Sequence, residues 1–97
     1  MVRHIFMAAV KENVTPEKID EIVKGLQALK VKYPSLQAGV NLGWFNPKTH
    51  ITLTVDFKDK NEFEGFINSP EHTHIVNTYL DCYDQDMIFT SQFALVK

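Results

Sequence analysis

The chain has 97 residues, of which 44% are hydrophobic and 23% charged, with a formal net charge of −2. These values are typical of one soluble domain over residues 1–97, and the scattered lysines argue against nucleic acid as a partner. No apolar run approaches the roughly 18 residues of a membrane span, and one cysteine with no signal-like start favours a cytoplasmic location.

The first predicted elements are a strand, a helix and a second strand. Residues 2–10 are apolar on both alternating sets of side chains, as expected of a strand covered on both faces. Thr15-Pro16-Glu17 predicts a helix start, because it combines a capping residue, a first-turn proline and an acid near the positive end of the helix dipole. Pro34 predicts the helix end. Residues 36–45 predict the second strand. Trp44 is expected to pack in the core, with the rim of a pocket as the alternative.

The second half of the chain begins with its clearest strand. Residues 50–58 alternate strictly between apolar and polar side chains. Asp59 or Asn61 can cap a short helix after that strand. Asn68-Ser69-Pro70 is expected to break this helix, because proline cannot continue the hydrogen-bonding pattern.

The last predicted helix carries a histidine on its apolar face. From His72 to Tyr83 the apolar positions recur at helical spacing, which places His72 on the buried stripe and His74 on the opposite face. A titratable ring on an apolar stripe is either a hydrogen-bonded core residue or a functional one. Residues 84–86 are expected to form a loop before a last strand over residues 87–96.

The order β-α-β-β-α-β predicts an α+β, ferredoxin-like fold. Its four-stranded antiparallel sheet would have the strand order 4-1-3-2 and both helices on one face. The other face would expose Ile5 and Met7 as an apolar patch, and a homodimer with the sheets face to face would cover it. If His4 faces the helices, its ring can meet that of His72.

Four short motifs resemble the stress-responsive dimeric α/β-barrel (Dabb) domains. They are Met1-Val2-Arg3-His4-Ile5, Gly39-Val40-Asn41, Thr49-His50 and Ser69-Pro70-Glu71-His72. The resemblance spans nearly the whole chain and implies a ferredoxin-like protomer in a dimer whose two sheets form a central barrel. The first functional hypothesis is therefore a stress-responsive homodimer without cofactor or assigned turnover, which binds a small apolar or aromatic molecule between sheet and helices.

A plant member of this family is a polyketide cyclase, and the resemblance implies a second hypothesis. His72 matches the general base of its Pro-x-His motif, and His4 matches a histidine of its first strand, so a cofactor-independent lyase or cyclase is implied. Phe66 and Leu26 replace two tyrosines of the cyclase, and neither can donate a hydrogen bond to a developing enolate. A third hypothesis, a monooxygenase-like activity of related barrels, rests on fold analogy.

The predicted ligand-binding residues are Phe66, Leu26, Tyr79 and His50. Tyr79 lies two turns after His72, where it is either a polar group of the site or a packed aromatic. If His50 shares a face with the threonines after it, it points to the barrel side, where it can also support the dimer. The histidines lie on separate elements without a His-Glu-x-x-His motif, so no metal site is predicted. An open cavity of a few hundred Å³ reaching His72 would favour enzymatic turnover, and a closed, well-packed space would favour binding or a structural role.

Overall fold

The elements follow the order β-α-β-β-α-α-β in the computed structural model, which describes residues 1–96. The strands are β1 (Val2–Val10), β2 (Gln37–Val40), β3 (His50–Phe57) and β4 (Tyr83–Ala94), and the helices are α1 (Pro16–Ala28), α2 (Lys60–Ile67) and α3 (Pro70–Tyr79). Short 3₁₀ turns, Leu29–Val31 and Leu80–Cys82, follow α1 and α3. The capping residues of α1 and α2 are Thr15 and Asp59. No helix among the described residues is long and apolar enough to cross a membrane.

The four strands form one antiparallel sheet in the order β2-β3-β1-β4, which confirms the predicted topology. The strand β1 is central, and β4 is an edge strand. His4 of β1 lies opposite Val55 of β3 on one side and opposite Gln92 of β4 on the other. The register therefore sets which polar side chains can reach His4 across the sheet.

The core lies between one face of the sheet and the helices. The strand side chains buried in it are His4, Ala8, Val10, Ile51, Leu53, Val55, Phe57 and Tyr83. Phe66 of α2 is only 1% exposed. Its ring centroid lies 4.9 Å from that of Tyr33 and 5.4 Å from that of Phe57. These aromatic contacts fix α2 on the sheet, because edge-to-face and tilted ring pairs add to the free energy of apolar burial.

Ser69 joins α2 to α3 through one buried hydroxyl. Its Oγ accepts a hydrogen bond from the backbone N–H of His72 at 3.2 Å and donates one to the carbonyl of Phe66 at 2.8 Å. Pro70 then occupies the first position of α3, where its missing N–H costs nothing. This junction fixes the first turn of α3, which carries His72.

The second strand is shorter than the sequence predicted. It ends at Val40 rather than at residue 45, and Trp44 is 90% exposed, so the prediction that Trp44 lies in the core is wrong. The Asn41 side chain donates hydrogen bonds to the carbonyls of Asn46, at 2.6 Å, and Lys48, at 2.9 Å. These side-chain bonds close a loop where continued strand pairing was expected.

The predicted loop over residues 84–86 is also wrong, because β4 already begins at Tyr83. A shift of register between Ala8 and Val10 lets β4 pair with β1 as far as Tyr83. Tyr83 is 6% exposed and belongs to the strand rather than to the helix before it. An edge strand tolerates polar residues because its unpaired edge faces water. The polar residues 84–86 therefore have the composition of a loop although they belong to a strand.

The outer face of the sheet is apolar along β1 and β4. Ile5 and Met7 of β1 lie on this face, opposite Ser91 and Phe89 of β4. Phe89 is 52% exposed and Phe93 is 45% exposed. The predicted apolar patch is therefore present on the protomer.

Candidate functional site

A cavity of about 300 Å³ lies between the sheet and the helices, chiefly α2 and α3. Its apolar lining includes Phe6, Leu26, Leu53, Phe66, Ile75 and Ile88. Its polar side chains are those of His4, His72, Tyr83, Thr90 and Gln92. Apolar walls with a few convergent polar groups are typical of small-molecule sites, and the volume is at the lower end of their range.

The cavity opens between α3 and the edge strand β4. Val76 and Leu80 line it from the helix side and are 39% and 41% exposed. Thr90 and Gln92 line it from the strand side and are also exposed. A small molecule can enter there without disturbing the buried part of the core.

His72 is positioned by the break between α2 and α3. Its Nδ1 lies 3.1 Å from the carbonyl oxygen of Ile67. A carbonyl oxygen only accepts hydrogen bonds, so Nδ1 carries the proton and Nε2 of the neutral ring carries a lone pair. Burial lowers the pKa of His72 and the bond to Ile67 partly opposes this shift. The neutral ring is therefore favoured, and it can accept a proton.

His4 lies deeper, on the central strand, and is 4% exposed. The ring centroid of His4 is 5.2 Å from that of Phe63 and 6.2 Å from that of Phe66. The centroid of Phe66 is also 4.7 Å from that of His72, so the Phe66 ring contacts both histidines. The Nδ1 atom of His4 is 3.0 Å from Nε2 of Gln92. Burial lowers the pKa of His4, and the nearby charge of protonated His72 lowers it further. Protonation of His72 therefore opposes protonation of His4.

The cavity brings together four of the six predicted site residues, namely His72, His4, Phe66 and Leu26. Tyr79 is not among its lining residues and instead lies at the contact between α3 and α1. The Glu21 carboxylate beside it raises the pKa of the Tyr79 hydroxyl. The spacing of apolar residues along the helix placed His72 and Tyr79 on one face, but it could not show that His72 lines the cavity and that Tyr79 contacts α1.

His50 lies on the outer face of the sheet, as its alternation with Thr52 and Thr54 predicted. It is opposite Ala9 in β1, and its Nδ1 lies 3.1 Å from the Lys48 carbonyl. This position is on the far side of the sheet from His72. Among residues 1–96, no three His, Cys, Asp or Glu side chains are grouped to hold a metal ion.

Sequence reasoning missed the polar residues that β4 contributes to the cavity. Thr90 and Gln92 follow Ile88 at alternate positions, opposite Phe6 and His4 of β1. Polar residues on a strand are ordinarily assigned to solvent, and only the register of β4 against β1 shows that these two share the face of His4.

Comparison with known proteins gives a family match over most of the chain. The model of the stress responsive A/B barrel domain matches residues 2–91. The chain is also 28% identical to the stress-response A/B barrel domain-containing protein HS1 of Arabidopsis thaliana, covering 90% of this chain and 84% of that protein. The resemblance seen in the four motifs is thereby confirmed.

Solved structures share the fold. A protein of Thermobifida fusca, described as a dimeric ferredoxin-like protein of unknown function, has a TM-score of 0.84 at 21% identity, covering 97% of this chain and 90% of that one. The hydroxynitrile lyase of Passiflora edulis has a TM-score of 0.79 at 20% identity, covering 99% of this chain and 94% of that one. These likenesses confirm the ferredoxin-like fold.

We expect the free energy of unfolding to decrease as the pH falls from about 7.5 to about 5, and His4→Gln or His72→Gln to remove part of this decrease. Both rings have folded-state pKa values below their ordinary 6.5. The unfolded chain therefore binds protons that the folded chain does not, so stability is lost as the pH falls through that value. Urea unfolding at a series of pH values measures the effect.

The matched control is His74→Gln, which changes an exposed histidine on the same helix. This variant should keep the wild-type pH dependence, because its side chain lies outside the cavity. A wild-type curve that stays parallel to those of His4→Gln and His72→Gln would contradict the assignment of the two rings as buried, neutral groups.

Proposed function

The chain belongs to the stress responsive A/B barrel domain family, and we propose that it is a homodimer that binds a small apolar or aromatic molecule in the cavity beside His72. The open cavity carries this proposal. An open cavity was the outcome expected for an enzyme, but reversible binding needs the same access, and Phe66 and Leu26 add no hydrogen-bond donor that would favour turnover over binding. It has an apolar lining, a mouth at the edge of the sheet and a few polar groups that can orient a ligand. A purely structural role for His72 would not require such access.

The homodimer follows from the outer face of the sheet. Ile5, Met7, Phe89 and Phe93 lie on it without a helix of their own protomer over them. Contiguous exposed apolar side chains mark interaction surfaces, and a twofold pairing of identical faces covers both at once. The dimeric description of the Thermobifida fusca protein supports a dimeric state for the present chain.

We expect Val76→Trp to weaken binding of 2-naphthol, a small aromatic probe, by at least about tenfold. Val76 stands at the mouth, and an indole there occupies the space that the ligand would take. Intrinsic fluorescence titration or calorimetry measures the dissociation constant.

The control is Val40→Trp, because Val40 is also a 39% exposed valine and does not line this cavity. It should bind the probe as the wild type does. Equal binding by both variants would place the ligand elsewhere, and no binding by the wild type would reject an apolar aromatic ligand of this size.

The double variant Phe89→Lys/Phe93→Lys is expected to convert the dimer to a monomer. It places positive charges on two identical surfaces that must approach each other, and removes apolar area from both. Sedimentation velocity at several concentrations gives the assembly state. Val31→Lys, at a 93% exposed valine after α1, is the control and should remain dimeric. A monomeric wild type at all concentrations would disprove the proposed assembly.

A second candidate function is a cofactor-independent lyase or cyclase reaction with His72 as general base. The observation that favours it is the lone pair on Nε2 of His72, since Nδ1 is engaged by the Ile67 carbonyl. Phe66 and Leu26 cannot stabilise an oxyanion, which leaves this task to His4 or to the hydroxyl and amide groups of Tyr83, Thr90 and Gln92. Turnover therefore requires a general base and an oxyanion-stabilising group in the cavity, whereas binding requires neither. No lining residue specifically favours the monooxygenase-like reaction.

The hydroxynitrile mandelonitrile tests this second candidate. His72 would take the hydroxyl proton while the bond between the hydroxyl-bearing carbon and the nitrile carbon breaks. The electron pair of that bond would leave with cyanide, which is then protonated to hydrogen cyanide, and the remaining fragment is benzaldehyde. Benzaldehyde formation above the buffer rate should fall about 10²–10⁴-fold in His72→Gln. Tyr79→Phe, outside the cavity, should retain the rate. Absence of turnover in the wild type rejects this reaction and leaves the binding proposal intact.

A further inference from the structure

We infer that Gln92 is a positioning residue that keeps the proton of His4 on Nε2, so that the two histidines present opposite hydrogen-bonding groups to the cavity. His4 then offers a donor and His72 an acceptor. The cavity would accordingly select neutral ligands that carry both an acceptor and a donor, such as phenols and hydroxy-carbonyl compounds. The ligand part of this inference rests on the proposed binding function.

The contact between Gln92 and His4 defines the tautomer. The amide nitrogen of Gln92 lies 3.0 Å from Nδ1 of His4. An amide nitrogen only donates hydrogen bonds, so with the Gln92 amide in this orientation Nδ1 of His4 accepts and the proton of the neutral ring is on Nε2. The two residues are directly opposite each other in the register of β1 and β4. Two hydrogen-bonded strands therefore hold the pair together.

His72 has the opposite tautomer. Its Nδ1 donates to the backbone carbonyl of Ile67 at 3.1 Å. That carbonyl has no proton to give, so the lone pair of the neutral ring is on Nε2. The difference between the two histidines comes from their partners, a side-chain amide in one case and a main-chain carbonyl in the other.

Both Nε2 atoms retain access to the cavity. Among residues 1–96, neither Nε2 has a protein hydrogen-bond partner, and no fully buried side-chain nitrogen or oxygen is left unpaired. His4 and His72 line the same cavity, so one ligand in it can approach both rings. A polar atom of a ligand can therefore complete each ring's hydrogen bonding.

This arrangement discriminates between ligand classes. A carboxylate can accept from His4 but meets a lone pair at His72, and an ammonium group meets the opposite mismatch. A charge in this apolar space is costly to desolvate without full pairing. A neutral hydroxyl or hydroxy-carbonyl group meets neither penalty, so rejection of charged analogues contributes to specificity.

Nitrogen-15 NMR of the histidine rings, at about pH 8 where neutral imidazole prevails, tests the tautomers directly. The wild type should show protonated Nε2 for His4 and protonated Nδ1 for His72. Gln92→Glu replaces the donor with an acceptor, so His4 should gain a proton on Nδ1 while His72 is unchanged. Gln92→Met should leave His4 as a mixture of tautomers.

Thr90→Val is the matched control, since Thr90 lines the cavity two residues away on the same strand and has no hydrogen bond to His4. It should leave both ring signatures as in the wild type. A wild-type His4 protonated on Nδ1, or an unchanged His4 signature in Gln92→Glu, would overturn the inference. Circular dichroism establishes that each variant is folded.

Three probes of similar shape test the ligand class, namely 2-naphthol, naphthalene and 2-naphthoate. Wild-type protein should bind 2-naphthol about three- to tenfold more tightly than naphthalene, and 2-naphthoate more weakly than 2-naphthol. Gln92→Glu should reduce the ratio of the affinity for 2-naphthol to the affinity for naphthalene.

The outcomes separate this inference from the proposed function. If naphthalene binds as tightly as 2-naphthol, the selectivity is disproved while the binding site stands. If none of the probes binds, the proposed site and its selectivity both fail, and the NMR result alone decides the role of Gln92.

Discussion

The central strand β1 is apolar on both faces, and the helices of the chain cover only one of them. This constraint determines both functional surfaces of the molecule. The side chains that face the helices form one wall of the core and place His4 at the cavity. Those on the other face form the apolar patch that the proposed dimer covers. A one-residue insertion or deletion within β1 would exchange the two sets of side chains after it and disturb both surfaces at once, because the side-chain period of a strand is two.

The second constraint is the break between α2 and α3. A continuous helix would carry the residues after Phe66 straight on, and the Ile67 carbonyl would be satisfied within the helix. The Ser69 hydroxyl and Pro70 instead begin a new helix, and the Ile67 carbonyl accepts from the His72 ring. The same short segment thus terminates one helix, caps the next and sets the protonated nitrogen of a cavity histidine. The capping hydrogen bond and the chemistry of the site cannot be varied independently here.

Much of the fold was predictable because it depends on local patterns. The alternation in β3, the cap and proline of α1 and the break before α3 each have a strong sequence signal, and the order of elements leaves few topologies. The errors fell where side-chain hydrogen bonds or edge position override the pattern, as at Asn41 and at the start of β4. Within the site, His4 and His72 were visible as polar residues among apolar ones. Gln92 was not, because its role depends on a register between strands more than eighty residues apart.

Phe66 and Leu26 give this cavity apolar walls without hydroxyl donors. Both residues are buried in the core and also line the cavity, so they contribute to its shape but not to its polarity. The polar side chains of the cavity are the His4–Gln92 pair, His72, Tyr83 and Thr90. A site of this kind discriminates among ligands through the protonation pattern of two imidazoles. That pattern is fixed by one amide and one main-chain carbonyl, so a single exchange at Gln92 can alter the recognition chemistry of the fold while its core packing remains intact.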